Sequence, residues 1–243
     1  ASGYTPAPPP DYVEPAPKKG KAGLFLGIGG VVIIGALAVL GVGGFLGYKY
    51  WWVPSHESKE SSRYWLETTA DSTQTSGKRL VDTAASLKSG ESFRFHIQSQ
   101  FNGYLYIVGQ DTKGNQVLFL SNKPLPETHV DTNVINAGQD YVFPREIWFT
   151  LDANPGAELY TIVLSPKKLD SPSFFNELPN ADGTPLNTQQ KDDLAAFVRK
   201  YSANKPEATV TNENGGEPFI VLKTPPGTNP DEPVIYEMQL LHK

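Results

Sequence analysis

The chain has 243 residues and a formal net charge of −5, so it lacks the basic footprint that nucleic-acid binding requires. It contains no cysteine, which excludes disulfides and cysteine-held zinc, haem or iron–sulfur groups. Hydrophobic residues at 39 % and charged residues at 19 % suit a chain with a packed core.

Residues 1–21 (ASGYTPAPPPDYVEPAPKKGK) include six prolines. Such a segment favours extended polyproline II and cannot build a core. Pro6 and Pro9 have the PxxP spacing that an aromatic groove can read; the plainer reading is a Pro-rich linker or tail.

Residues 22–48 (AGLFLGIGGVVIIGALAVLGVGGFLGY) carry no charge. A hydrocarbon layer about 30 Å thick needs roughly 20 apolar residues in helical form. A single isolated span can pair all its backbone groups only as a helix. The expectation is one transmembrane helix embedded in membrane lipid. Lys18, Lys19 and Lys21 precede it and Lys49 follows, an asymmetry that places the N-terminus in the cytoplasm. Tyr50, Trp51 and Trp52 then fall at the outer interface, where amphipathic rings favour the headgroups. A cleaved signal peptide fits less well, because its apolar region spans roughly 7–15 residues and ends in small residues. Gly23 with Gly27 and Gly43 with Gly47 make GxxxG faces that let another helix dock closely. With no charge inside the span, neither ion conduction nor proton relay is expected.

Residues 49–78 read as interfacial aromatics and a polar stalk, with one turn of helix at Arg63–Leu66. From 79 to 243 the pattern is mainly β. Phe93, Phe95 and Ile97 alternate with polar residues in 92–99. The near-continuous apolar run 103–110 reads as a central strand, joined through the turn at 111–115 to a strand over 116–120. Residues 140–143, 147–152 and 159–165 continue the series. A short helix is expected from Ser171-Pro172 to Leu178. A longer helix spans 188–203, capped by Asn187 with Gln190 three residues on, and Leu194, Phe197, Val198 and Tyr201 line one of its faces. Two strands close the chain, at 218–223 and 233–241. The fold class is mainly β: a β-sandwich or small barrel of about eight strands with one or two packed helices.

Several strings in this region carry a resemblance: Gly103-Tyr104-Leu105-Tyr106-Ile107-Val108, the Ala137-Gly138-Gln139 turn, Pro144, Pro155-Gly156 and the Leu241-His242 ending. Together they resemble, over about 79–243, a bacterial all-β family known only as a domain of unknown function, the four-three-eight-four type. That family is often fused to Ser/Thr kinases, caspase-like peptidases or repeat modules. The resemblance implies an accessory or sensing module, assigns no chemistry, and makes Gly103, Tyr104, Tyr106, Gly138, Pro144, Pro155 and Gly156 structural. Taken with the span and its lysine asymmetry, a bacterial chain of this kind is expected in the inner membrane, with the β domain on the periplasmic side.

The histidines His56, His96, His129 and His242 form no HxH or HExxH spacing, so no metal site is expected. His96 is out of phase with Phe95 and Ile97, hence solvent-facing. No GxSxG elbow is present and no serine is placed as an evident nucleophile. Asn180-Ala181-Asp182-Gly183 reads as a turn, lacking the ligand pattern of a calcium loop. Asp192 and Asp193 suit the positive end of a helix dipole. Tyr104, Tyr106, Phe119, Trp148 and Phe149 read as core and cross-strand residues rather than a ligand groove. No catalytic residue, cofactor or metal is expected. The function expected is that of a non-enzymatic, single-pass accessory subunit binding other transmembrane and extracytoplasmic proteins in a larger assembly, such as a photosynthetic or respiratory complex. The alternatives are the ligand-sensing ectodomain of a signalling receptor or kinase whose cytoplasmic part precedes Ala1, and an envelope hydrolase.

Overall fold

A computed structural model describes residues 57–243 apart from 72, 74, 75, 82, 83 and 213–215. The tail, the span with Gly23, Gly27, Gly43 and Gly47, and the flanking Lys18, Lys19, Lys21, Tyr50, Trp51 and Trp52 lie outside the described residues. Among the described residues, no helix is long and apolar enough to cross a membrane.

The strand Ser92–Ser99 sets the frame. Its Phe93, Phe95 and Ile97 turn inward and are almost fully buried, while Arg94, His96 and Gln98 turn outward, as a period of two dictates. Its long antiparallel partner is Lys59–Thr69, paired residue for residue from Ser62 opposite Ser99 to Thr69 opposite Ser92. This corrects the expected stalk. Residues 59–69 form an 11-residue strand inside the domain, with Tyr64 and Leu66 in the core and no helical turn at 63–66.

In chain order the described strands are β1 (Lys59–Thr69), β2 (Lys78–Leu80), β3 (Ala84–Leu87), β4 (Ser92–Ser99), β5 (Gly103–Gln110), β6 (Gln116–Leu120), β7 (Val134–Ile135), β8 (Asp140–Phe143), β9 (Phe149–Thr150), β10 (Gly156–Ser165), β11 (Glu207–Thr211), β12 (Phe219–Thr224) and β13 (Val234–His242). They make two sheets. The first runs β11-β12-β1-β4-β8, with β2 on β1 and β9 on β4; the second runs β3-β13-β10-β5-β6, with β7 on β5. The described pairings are antiparallel except β3 with β13, which is parallel. The architecture is therefore a sandwich of two sheets rather than a barrel, with more strands than expected. Apart from β1, the added strands are short or polar, and the strand expected over 147–152 is reduced to Phe149–Thr150.

The main core lies between the sheets, where Tyr64, Leu66, Phe93, Phe95, Ile220 and Leu222 of the first meet Leu105, Ile107, Ile162, Tyr236 and Leu240 of the second. The second sheet also buries its other face. Tyr106, Val108, Val163 and Ile235 pack there on Phe174, Phe175, Leu186, Leu194 and Phe197. Burial on both faces is why β5 reads as a continuous apolar run. The covering layer is helix α1 (Thr188–Lys200) and a 3₁₀ turn at Ser173–Asn176, which is shorter than the helix expected through Leu178. Asn187 accepts from the Gln190 N–H and Gln190 reaches back to the Asn187 N–H, so the capping box forms as expected.

Candidate interaction face

The outward residues of the first sheet form the most elaborate polar surface of the domain. Register places Trp65 of β1 opposite His96 of β4, Glu67 opposite Arg94 and Arg63 opposite Gln98. His96 stacks on the Trp65 indole, 5.0 Å between ring centroids. Its Nε2 lies 2.9 Å from Glu67 Oε2 and its Nδ1 2.7 Å from Asp140 Oδ2. The expected solvent-facing histidine is thus on the outer face but mostly covered, because the neighbouring strands β1 and β8 lay Trp65, Glu67 and Asp140 against it.

Three arginines sit over aromatic rings. Arg79 of β2 sits 4.0 Å from the Trp65 ring centre, Arg94 4.3 Å from that of Trp148, and Arg63 4.7 Å from that of Phe219. Such cation–π contacts hold the guanidinium plane while leaving its edge for hydrogen bonds. Each edge also meets a carboxylate: Arg94 Nε to Glu67 at 2.6 Å, Arg63 Nε to Glu60 at 2.6 Å, and Arg79 Nε to Glu217 at 3.1 Å. Burial pushes the Glu67 carboxyl up, but hydrogen bonds from Arg94, the Gly77 N–H and His96, with the Arg94 charge, outweigh it and hold the group below the usual carboxylate value. Between Arg63, Trp65, Arg79, Gln98, Glu217 and Phe219 lies a shallow depression of about 330 Å³. Its lining joins stacked rings, guanidinium groups and carboxylates, groups suited to polar and aromatic contacts. The sequence signals its outward phase; Glu67 and Asp140 stand 29 and 44 positions from His96, and only the strand pairing unites them.

The other singled-out residues are dispersed over the fold. Gly103 opens β5, where a Cβ would run into the Ser165 carbonyl oxygen. The Tyr106 hydroxyl donates to Asn122 Oδ1 and accepts from the Leu169 N–H at 2.8 Å, tying the second core to its covering loop. Tyr104, Phe119 and Phe149 pack against the cores, while Trp148 joins the outer face. Gly138, at φ +73°, makes the turn before β8 and donates its N–H to the Ser99 carbonyl. Pro144 follows β8, and Pro155 and Gly156 lead into β10. Asp182 caps the turn at Gly183 by accepting from Thr184. Asp192 and Asp193 lie beyond the first turn of α1, where the dipole has largely faded, so that expectation is corrected. His129 is half-exposed beside Glu146. His242, by contrast, is buried against Ser89, a pairing across 153 positions that the sequence did not disclose. Among the described residues, no group of three or more His, Asp or Glu is placed to hold a metal ion.

Residues 86–168 match the family model described as a domain of unknown function (DUF4384). This is the family the motifs resemble, over a shorter stretch than 79–243. The match runs from β3 past β10, so β1, β12 and β13, which complete the two sheets, lie outside it. No curated protein and no solved structure matches the chain.

Proposed function

We propose that the chain is a non-enzymatic, single-pass accessory subunit: the helix of 22–48 anchors it in a bacterial inner membrane, and the periplasmic β domain docks a partner protein on the outer face of its first sheet. The observation that carries this reading is Trp65, held between Arg79 and His96 on that face. Tryptophan and arginine are the residues most enriched at binding hot spots, and rings and guanidiniums already locked in place lose little entropy on docking. The GxxxG faces supply a second contact within the membrane.

Purification in mild detergent, with mass spectrometry of co-migrating proteins, tests it. The wild type is expected to co-migrate stoichiometrically with a larger assembly, and the Trp65→Ala, Arg79→Ala double variant to lose partners held by the β domain. Migration of the wild type as a lone monomer would overturn the subunit reading and favour a sensor ectodomain.

A further inference from the structure

His242, at the end of β13, has a side chain fully shielded from solvent. Its Nε2 lies 2.9 Å from Ser89 Oγ. Ser89 itself is exposed, on the turn after β3. Backbone pairing fixes this approach: β3 lies parallel to β13 with Leu87 beside His242, the Ser89 N–H donates to the Lys243 carbonyl at 3.1 Å, and the Lys243 N–H donates to the Leu87 carbonyl at 2.8 Å.

The other ring nitrogen, Nδ1, is buried and makes no hydrogen bond. The acidic groups that face it are Glu158 Oε1 at 3.6 Å and Asp152 Oδ1 at 3.9 Å. Glu158 is the better held, with 16 % side-chain exposure against 62 % for Asp152 and its second oxygen accepting from the Tyr160 hydroxyl at 2.7 Å. A neutral imidazole carries its proton on one nitrogen. On Nδ1 that proton faces carboxylate oxygens; on Nε2 it would leave a buried lone pair pointing at them, which is repulsive. The favoured tautomer leaves Nε2 to accept from the Ser89 hydroxyl. This is the hydrogen-bond direction of a serine, base and orienting acid, which is recognised by geometry and not by chain order.

We infer that Ser89 is a nucleophilic hydroxyl, with His242 as its general base and Glu158 as the positioning residue, and that it accepts an acyl or phosphoryl group from a small electrophilic ester or fluoride. The surroundings limit the chemistry to that transfer. The N–H groups of Ser89, Gly90 and Glu91 donate to the carbonyls of Lys243, Leu151 and Lys88. None is left to stabilise a developing oxyanion. Base assistance alone suffices for a reagent with a good leaving group but gives the resulting serine ester no help towards hydrolysis, so the expected product is one covalent adduct, independent of the docking face.

Diisopropyl fluorophosphate tests this on the full chain in mild detergent. Ser89 Oγ bonds to phosphorus, the P–F bond breaks, fluoride leaves, and the hydroxyl proton passes to His242 Nε2 and on to water. Peptide mass spectrometry reads the rate at Ser89 against exposed Ser86 in the same molecule. Ser89 is expected to react about 100-fold faster, the lower bound for general-base assistance. Glu158→Gln keeps an acceptor for Tyr160 and is expected to slow Ser89 about 10-fold, with Ser86 and the melting temperature unchanged. His242→Gln is expected to remove the preference. Equal rates at Ser89 and Ser86 in the wild type would overturn the inference. An unchanged Ser89 rate in Glu158→Gln would overturn the positioning role. Continuous hydrolysis of p-nitrophenyl acetate, absent from Ser89→Ala, would overturn the single-adduct limit.

Discussion

His96 and Trp65 face each other directly across β1 and β4, their rings 19° from parallel and 5.0 Å apart. Arg79 sits against the same indole. One side chain thus supports two others from different strands, and its loss exposes both. Trp65→Ala is expected to lower stability by about 1–3 kcal/mol, and Trp65→Phe by less, because it keeps a ring for both neighbours. Urea unfolding midpoints check this.

Glu67 joins β1 to β4 through Arg94 and His96. Its carboxyl titrates below the ordinary value of 4.5 in the folded protein. The folded state therefore prefers the ionised form. The resulting stability is fully present above the unfolded value and is lost as pH falls through the folded one. The stability difference between wild type and Glu67→Gln is expected to shrink progressively as pH falls below about 5. Thermal melts of both proteins across that range measure it; a constant difference into strong acid would contradict the assignment.

β1 decides where the domain begins. It lies between β12 and β4 and buries Tyr64 and Leu66 in the main core. A fragment of residues 79–243 exposes the edges of β12 and β4 and opens the core between the sheets. It is expected to be unfolded or aggregated, whereas a fragment starting at Ser55 folds. Circular dichroism and a cooperative melt distinguish the two.

That strand was hard to read for physical reasons. Its inward positions include Ser62, which is buried, and a register shift between Glu60 and Ser62 breaks the alternation. Outward Trp65 between inward Tyr64 and Leu66 gives three apolar residues in a row, which suits a helical turn equally well. β11 (EATVT) is exposed along nearly its whole length and exists through pairing with β12, so no hydrophobic pattern marks it. β4, β5 and α1 were legible because burial leaves a strong period of two, a continuous run or an amphipathic face. The phase of His96 followed from the same period. Its carboxylate partners, and the contact of Ser89 with His242, depend on strand pairing that residue spacing does not encode.

Phe175 links the covering layer to the second sheet. It is fully buried, 4.6 Å from the Tyr106 ring and 5.8 Å from that of Phe197 on α1. Truncation leaves a cavity bordered by a sheet, a helix and a 3₁₀ turn, none of which can close it alone. Phe175→Ala is expected to cost about 3–5 kcal/mol. Asn187→Ala removes only the cap of α1 and is expected to cost about 1 kcal/mol. Leu178, two residues past the 3₁₀ turn and 54 % exposed, provides the contrast: Leu178→Ala is expected to change stability by less than about 0.5 kcal/mol. Denaturant unfolding of the three variants checks the order, and a large cost at Leu178 would mean that this exposed position is covered by something that α1 and the 3₁₀ turn do not supply.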